Sequence, residues 1–256
     1  KTNFLIMGLD LKQKKALDVM LETKFKKKII SFKRPVTLDK HFAAIHTIPE
    51  KQRRMYSGIQ SLLTTLGQSF YEDMAVSIAS IHSTKAETQM KTNHYLSKDR
   101  IVKIDEIIHD LQTKKRKPNV KNEIREILSI PNKNLVKDDN GRIVDVYIKK
   151  GRNEYYFELK TTLLNVSGVP NLKKQILKYV ARENQSIHAA LVLPYNPYFP
   201  KPYNRHKILD VFEYKKDFLT GEDFWDLIGG KGAYHDIEDS FKKIGTKYWE
   251  KLSAKF

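Results

Sequence analysis

The chain has 256 residues, no cysteine, and 47 lysine and arginine residues against 30 aspartate and glutamate residues, so its formal net charge at pH 7 is +17. The lack of cysteine excludes disulfides, zinc–cysteine sites and thiol catalysis. No segment reaches the roughly 20 apolar residues of a membrane-spanning helix. A charge this far from zero favours a polyanionic partner, and nucleic acid is the first candidate.

The opening segment, residues 1 to 15, lacks the length and the small-residue cleavage site of a signal peptide. Together with the absence of cysteine, this leads us to expect a soluble cytoplasmic protein with no membrane partner. Because the chain opens on Lys1, we also expect that a few residues precede it.

Two helical patterns dominate the first third of the chain. Leucine and alanine alternate with lysine at helical spacing over residues 10 to 28, which predicts a basic helix. Its run Lys26-Lys27-Lys28 suits either phosphate contact or a solvated helix face. The segment Gly58 to Ile81 is predicted to be one helix that packs on a sheet, because it carries an apolar stripe at the 3.6-residue period: Ile59, Leu62, Leu63, Leu66, Phe70, Met74 and Ile78.

Glu72 lies off that stripe. Its neighbours on the helix surface are Ala75, Val76 and Ala79, which are small enough to let another element approach closely. Two interpretations stay open: Glu72 serves a functional site, or it pairs with a surface lysine.

A second basic run, Lys114 to Lys117, indicates an exposed loop before a short helix over Val120 to Leu128. Phosphate contact and plain solvation both account for this run. On the short helix, Glu123 and Glu126 are weaker candidates than Glu72 for an acidic group in a functional site.

A β-hairpin is predicted over Gly141 to Thr162. Two runs rich in β-branched and aromatic residues, Ile143 to Ile148 and Glu154 to Phe157, flank a turn signal at Lys150 to Asn153. We expect the turn to centre just after Gly151, which fixes the register of the two strands.

This register places Asp145 directly opposite Glu158, with Lys160 on the same face one pleat further along. A shift of one residue would bury the charges, so the register is well specified. The other face then collects an almost wholly apolar set suited to packing on a core: Val144, Val146, Ile148, Tyr155, Phe157 and Leu159.

Two carboxylates directly opposite each other repel, so the pattern calls for a cation between them. Hard oxygen ligands without nearby cysteine or histidine favour Mg²⁺, which keeps several waters and binds phosphate oxygens. The Lys160 ammonium would orient or help to deprotonate an attacking water and stabilise charge on a phosphate. The alternative is an exposed, charged hairpin face on which Lys160 merely neutralises Glu158.

Residues 171 to 182 are predicted to form a helix beside the hairpin, buried on its apolar side. The opposite side would be a basic face suited to phosphates: Lys173, Lys174, Lys178 and Arg182. Gln175 suits a phosphate contact, support of the site, or plain exposure. The apolar strand His188 to Leu193 follows, so this helix would be the crossover of a mixed sheet.

The segment Pro194 to Arg205 interleaves four prolines and four aromatic residues with lysine, arginine and two asparagines. Prolines stiffen a loop, and asparagine and arginine read base edges, so the segment is a candidate for reading DNA or bracing a recognition surface. A rigid loop that closes over the core is the alternative. Further on, Gly229-Gly230-Lys231-Gly232 lacks the spacing and Lys-Ser/Thr ending of a P-loop and is predicted to be a turn.

Asp145, followed after twelve residues by Glu158-Leu159-Lys160, resembles the PD-(D/E)xK nuclease superfamily, although Val144 stands where that motif has proline. The segment Leu66 to Glu72 resembles the first core helix of many restriction enzymes, whose glutamate lies near the metals. Further segments resemble type II restriction endonucleases of the TdeIII-type family over roughly the last two thirds of the chain: Phe157 to Thr162 with Asn165, Leu193 to Pro197, and Gly221 to Asp226.

The resemblance implies an α/β fold with a restriction-endonuclease-like mixed β-sheet core flanked by helices and an N-terminal helical part. We expect a single endonuclease domain over residues 1–256. Within it, residues 1–55 would form the basic helical N-terminal part, 56–195 the PD-(D/E)xK catalytic core, and 196–256 the C-terminal loop and helices.

The resemblance also implies Mg²⁺-dependent cleavage of double-stranded DNA within a short, near-palindromic site, which is GGNCC for the family's namesake. The enzyme would be a homodimer in a prokaryotic cytoplasm, with a cognate DNA methyltransferase as a further candidate partner. Asp145, Glu158 and Glu72 would be catalytic and bind the metal, and Lys160 would be catalytic. DNA contacts are expected from the basic helix, the proline-rich loop and a nearby asparagine: Lys173, Lys174, Gln175, Lys178, Asn165, Asn196, Asn204 and Arg205.

Two alternatives stay open. The chain could be another nuclease with the same core, such as a junction resolvase, a repair nuclease or a transposon nuclease, which would recognise DNA shape. It could also be a non-catalytic basic DNA-binding protein in which the acidic pair has no chemical role.

Overall fold

The structure is a computed structural model that describes residues 8–31, 48–161 and 164–254. Its helices are α1 (Leu11–Ser31), α2 (Glu50–Thr65), α3 (Gln68–Ala79), α4 (Lys98–Gln112), α5 (Val120–Ser129), α6 (Val169–Glu183), α7 (His206–Leu209), α8 (Glu222–Gly229) and α9 (Ala233–Ser253). Its strands are β1 (Lys85–Lys91), β2 (Tyr95–Ser97), β3 (Leu135–Lys137), β4 (Ile143–Lys150), β5 (Asn153–Leu159), β6 (His188–Leu193) and β7 (Phe218–Thr220). Parts of the predicted N-terminal region, residues 1–7 and 32–47, and Thr162 of the family-like segment lie outside the described residues.

A five-stranded sheet in the order β1-β4-β5-β6-β7 forms the centre of the molecule. The pairs β1–β4 and β4–β5 are antiparallel, whereas β5–β6 and β6–β7 are parallel. Helix α6 is the crossover between the parallel strands β5 and β6, as the sequence predicts, and a small antiparallel pair of β2 and β3 lies apart. The predicted α/β class, with a mixed sheet and flanking helices, is confirmed.

Helices cover both faces of this sheet, which gives two apolar cores. The first core joins α1, α3, α8 and α9 to the sheet, and the second core joins α4, α5 and α6 to its other face. Because both faces are buried, β6 is almost continuously apolar, and the last four residues of β5 are all buried rather than alternately buried and exposed. The hairpin face that carries the charged residues is therefore packed as well: Tyr147 and Tyr156 are buried there, with ring centroids 5.2 Å apart.

The single helix predicted over Gly58 to Ile81 is wrong. The structure has two helices, α2 and α3, with a break at Leu66 and Gly67. Gly67 has an extended backbone, and a Cβ atom at that position would lie 2.9 Å from the carbonyl oxygen of Thr64. The apolar stripe is accordingly split: Phe70 on α3 is buried, whereas Leu63 on α2 is 62% exposed.

Other predicted elements agree closely with the structure. The basic helix of residues 10 to 28 is α1, the short helix from Val120 is α5, and the strand His188–Leu193 has the predicted bounds. The glycine cluster at residues 229 to 232 forms the predicted turn, between α8 and α9. Among the described helices, none combines the length and the apolar composition that crossing a membrane requires.

Candidate active site

The predicted hairpin register is confirmed. Strand β4 pairs with β5 from Lys150–Asn153 to Val146–Phe157, across a turn in which Gly151 has a positive φ of 61°. Regular pairing ends there, and the next two residues in register are Asp145 and Glu158. The site therefore lies where the central strands cease to pair.

The alternation of side chains also changes at Asp145. Val146 lies in the first core, but Val144 lies in the second, so the prediction that Val144 shares the face of Val146 is wrong. Instead of facing Glu158 in a regular pair, the Asp145 carboxylate accepts a hydrogen bond of 2.8 Å from the backbone nitrogen of Leu159. This bond fixes the carboxylate at the point where β4 and β5 diverge.

Both carboxylates are withdrawn from solvent. Asp145 is 8% exposed and Glu158 is 5% exposed, so the alternative of a solvated, charged hairpin face is wrong. Burying two like charges is costly unless each finds hydrogen bonds or a counter-charge. The surroundings of the pair supply several of these.

Glu158 is held from both of its oxygens. Its Oε1 accepts a hydrogen bond of 2.5 Å from the Lys160 ammonium, and its Oε2 accepts one of 2.8 Å from the Gln175 amide on α6. The Tyr179 hydroxyl, also on α6, lies 3.1 Å from Oε2 and 2.7 Å from the carbonyl oxygen of Ile143. Helix α6 thus orients the glutamate through Gln175 and Tyr179.

The electrostatic balance at Glu158 is set mainly by burial. Burial and then the negative charge of Asp145 raise the pKa of Glu158, while Lys160 and Tyr179 oppose the rise without cancelling it. Burial also raises the pKa of Tyr179, so its hydroxyl stays a neutral hydrogen-bonding group. A cation beside this pair would stabilise the ionised form of both carboxylates.

Lys160 stands between the two carboxylates. Its ammonium nitrogen is 2.5 Å from Glu158 and 4.0 Å from the Oδ2 of Asp145. Its backbone nitrogen donates to the carbonyl oxygen of Val192, which continues the pairing of β5 with β6 beyond Leu159. The three residues that the hairpin pattern singled out therefore lie together.

Glu72 joins this group through a residue that the sequence did not single out. Glu72 on α3 is 5% exposed, and its Oε2 accepts a hydrogen bond of 3.0 Å from the side-chain amide of Gln89. The same amide nitrogen lies 3.4 Å from the Oδ1 of Asp145. The pattern of β1 offers no signal for Gln89, because its position depends on an irregular backbone within the strand.

The donor set fits a hard divalent cation. Carboxylate oxygens dominate the site, and Mg²⁺ is usually bound by one or two carboxylates together with waters and phosphate oxygens. In the described part of the chain, no three aspartate, glutamate or histidine side chains are close enough together to hold a metal. Asp145 and Glu158 are the residues that would hold the cation, and Glu72 lies beside Asp145 across the Gln89 amide.

Glu123 and Glu126 have partners elsewhere. Glu123 forms an ion pair of 2.5 Å with Lys173, and Glu126 forms one of 2.6 Å with Arg116. The weaker acidic candidates are thus engaged away from Lys160.

The predicted basic face of α6 is partly wrong. Lys173 has no exposed surface and is enclosed by Glu123 and Asp217, and Arg182 is buried against backbone carbonyls. Lys174 and Lys178 remain half-buried, paired with Asp105 and Asp138. Both α6 faces are covered because α5 packs where the sequence suggested solvent.

The proline-rich segment after β6 lies beside the residues that follow the end of β5. The Tyr195 hydroxyl donates to the carbonyl oxygen of Thr161, one residue after Lys160. Asn196 is used inside the loop, since its amide donates to Lys201 and its oxygen accepts from Tyr198. Of the other candidates for reading bases, Asn165 accepts a hydrogen bond from the backbone of Ser167, Arg205 donates one to the carbonyl oxygen of Leu164, and Asn204 is exposed.

The chain is similar to known proteins over most of its length. A family model described as "Type II restriction endonuclease, HinfI" matches residues 9–245. The chain is 29% identical over 200 residues to the type II restriction enzyme MjaII of Methanocaldococcus jannaschii, covering 72% of this chain and 51% of MjaII. The chain thus spans about half the length of that relative.

Relatives of more similar length come from Herpetosiphon aurantiacus. The type II restriction enzymes HgiCII and HgiEI are 22% and 24% identical to the chain over 216 residues, which covers 81% of this chain and 78% of each enzyme. No solved structure matches the chain. The matching family model is HinfI and not the TdeIII-type family that the sequence segments resemble. The chain belongs to the HinfI family of type II restriction endonucleases.

Proposed function

We propose that this chain is a site-specific endonuclease that hydrolyses phosphodiester bonds in double-stranded DNA with Mg²⁺, through a site of the PD-(D/E)xK type. The observation that carries the proposal is the buried pair of Asp145 and Glu158 with the Lys160 ammonium between them. Family membership supports it, as does the formal charge of +17, which suits a polyanionic substrate.

Asp145 and Glu158 would hold the divalent cation. When bound, such a cation neutralises charge on a phosphate and acidifies a water molecule. The chain's own contribution is positional: the Leu159 backbone fixes Asp145, while Gln175 and Tyr179 fix Glu158. These contacts hold the carboxylates ready before the substrate arrives.

Lys160 supplies the remaining charge. Its ammonium would orient the water that attacks phosphorus and stabilise the negative charge that develops on the phosphate oxygens. The phosphorus–oxygen bond to the leaving strand then breaks, leaving a phosphate on one end and a hydroxyl on the other. Glu72, beside Asp145, would add negative charge that strengthens attraction for the cation.

The proposed DNA contacts are those expected from the sequence, with one exception. The residues proposed to contact DNA are Lys174, Gln175, Lys178, Asn165, Asn196, Asn204 and Arg205, while Lys173 is left out because it has no exposed surface. A near-palindromic target favours a homodimer, since two-fold related DNA halves call for two-fold related subunits. A methyltransferase acting on the same site, and GGNCC as that site, are proposals that rest on the TdeIII-type resemblance alone.

The proposal is tested by incubating the purified protein with phage DNA and Mg²⁺ and separating the products by size. Discrete fragments should appear, and they should be lost in Asp145→Ala and in Lys160→Ala. Each substitution removes a group that acts on the reacting phosphate, so the rate should fall by roughly 10²–10⁴-fold. The matched control is Lys150→Ala, which removes an exposed lysine from the other end of β4 and should leave the fragments unchanged.

Other outcomes favour the alternatives. A smear in place of discrete fragments would indicate a nuclease that recognises DNA shape. Retained DNA binding without any cleavage would indicate a non-catalytic binding protein. Sequencing the fragment ends identifies the target, and ends outside GGNCC would contradict the TdeIII-type assignment.

A further inference from the structure

Gln89 occupies an unusual place in β1. Its φ of 56° lies in the left-handed region, which a non-glycine residue adopts at an energetic cost and keeps only where its surroundings demand it. The pairs on either side, Thr88–Val146 and Met90–Val144, keep the same register. Gln89 is therefore the residue of β1 that lies opposite Asp145.

The Gln89 side chain is exposed, yet its amide reaches two buried carboxylates. The amide nitrogen lies 3.0 Å from the Oε2 of Glu72 and 3.4 Å from the Oδ1 of Asp145. The other oxygen of Asp145, Oδ2, accepts from the Leu159 backbone and faces Lys160. The two carboxylate oxygens of Asp145 thus have different partners, and Gln89 contacts the oxygen that lies toward Glu72.

Resting on the proposed function, we infer that Gln89 is a positioning residue that bridges Glu72 and Asp145 in the metal-free protein and competes with the divalent cation for them. A partly positive amide group between two carboxylates offsets their repulsion, as a cation would. A cation that binds both carboxylates must first break the hydrogen bonds that the Gln89 amide makes to them. Because the side chain is exposed, it can swing outward without disturbing either core.

The inference predicts that cation affinity rises when the Gln89 amide is removed, whereas a purely structural role does not predict such a rise. Removing the amide should leave Glu72 and Asp145 repelling each other in the metal-free protein, so the cation gains more by binding. The dissociation constant for the cation should therefore fall by roughly tenfold, the equivalent of one hydrogen bond to a charged group.

The test uses Mn²⁺ alone, without DNA, and follows the signal of free Mn²⁺ by electron paramagnetic resonance as the protein is titrated. Gln89→Leu removes the amide but keeps the side-chain bulk and the backbone cost of a non-glycine residue. Gln89→Gly removes the amide and relieves the backbone, which guards against a variant that fails to fold. Lys91→Ala, at an exposed position of the same strand, is the control, and Asp145→Asn removes a proposed ligand.

The inference is supported if both Gln89 variants bind Mn²⁺ more tightly than the native chain while Lys91→Ala does not, and Asp145→Asn abolishes binding. Unchanged or weaker binding in both Gln89 variants, with binding still lost in Asp145→Asn, would overturn the role of Gln89 and leave the proposed function standing. Binding that persists in Asp145→Asn would overturn both.

Discussion

At the scale of single residues, the site stores electrostatic repulsion. The carboxylates of Asp145 and Glu158 are almost fully buried, and the pKa of Glu158 is raised by burial and by Asp145. The protein tolerates this cost because Lys160, Gln175 and Tyr179 all contact Glu158. Sites that bind cations are commonly arranged in this way, since function favours the ionised pair and stability does not.

This repulsion predicts how stability depends on pH when divalent cations are removed by chelation. The pKa of Glu158 is higher in the folded state than its ordinary value of 4.5, so the folded state binds the proton more tightly. Its contribution to stability is fully present below that ordinary value and is lost as pH rises through the folded-state pKa. Glu158→Gln should remove this loss and raise the unfolding temperature at pH 8, by about 2–4 °C for each kcal/mol of repulsion relieved.

The unfolding temperature is measured by circular dichroism at several pH values between about 5 and about 8. The matched control is Glu154→Gln in the same strand, because Lys149 lowers the pKa of Glu154 and the sign is then reversed. That variant should lose stability at pH 8. Parallel curves for the native chain and Glu158→Gln would contradict the prediction.

At the scale of elements, α6 is fixed by a buried ion cluster. Lys173 on α6 contacts Glu123 on α5 and Asp217 just before β7, and all three side chains have no exposed surface. Burial raises the pKa of Asp217 to about 6 even though Lys173 opposes the rise, whereas at Lys173 the effect of burial is outweighed by the two carboxylates, which raise the pKa of the ammonium. The role of the cluster is to hold α6, which carries Gln175 and Tyr179, at one position over Glu158.

Removing Lys173 should therefore be far more damaging than removing its neighbour. Lys173→Ala leaves two buried carboxylates without their counter-charge, and the free energy of unfolding should fall by about 3–5 kcal/mol. Lys174→Ala breaks only a half-exposed pair with Asp105 and should cost about 1 kcal/mol or less. Urea denaturation of both variants measures the difference, and equal losses would show that the cluster does not anchor α6.

At the scale of the whole molecule, the charge of +17 bears on association with the proposed DNA substrate more than on the fold. Binding of double-stranded DNA should weaken steeply with salt, because each phosphate contact releases counterions. With roughly 6–10 such contacts, affinity should fall about 10³–10⁵-fold between roughly 50 and 200 mM salt. Fluorescence anisotropy of a labelled duplex, with Asp145→Ala to prevent cleavage, gives the slope. A nearly flat dependence would show that the excess charge does not meet the phosphates.

The sequence alone determined the local parts of this site. Strand alternation and a turn containing Gly151 fixed the hairpin register, because a slip of one residue would have exchanged the apolar and charged sets. The same local logic identified Asp145, Glu158 and Lys160 and the bounds of β6. The same reasoning failed at Gly67, where the apolar period continues across a break in the helix. Periodicity reports which side chains are apolar, but it does not report the conformation of the backbone between them.

Tertiary structure decided everything that depends on contact between distant segments. Whether Glu72 lies near Asp145 depends on how α3 packs against β1, and the bridge between them is Gln89, whose left-handed backbone leaves no mark in the composition of β1. The helical pattern places Lys173 on a basic surface, but in the folded chain Glu123 and Asp217, which lie on other segments, enclose it. Period and propensity describe one segment at a time, whereas burial of a charge is set by partners that only the folded chain brings together.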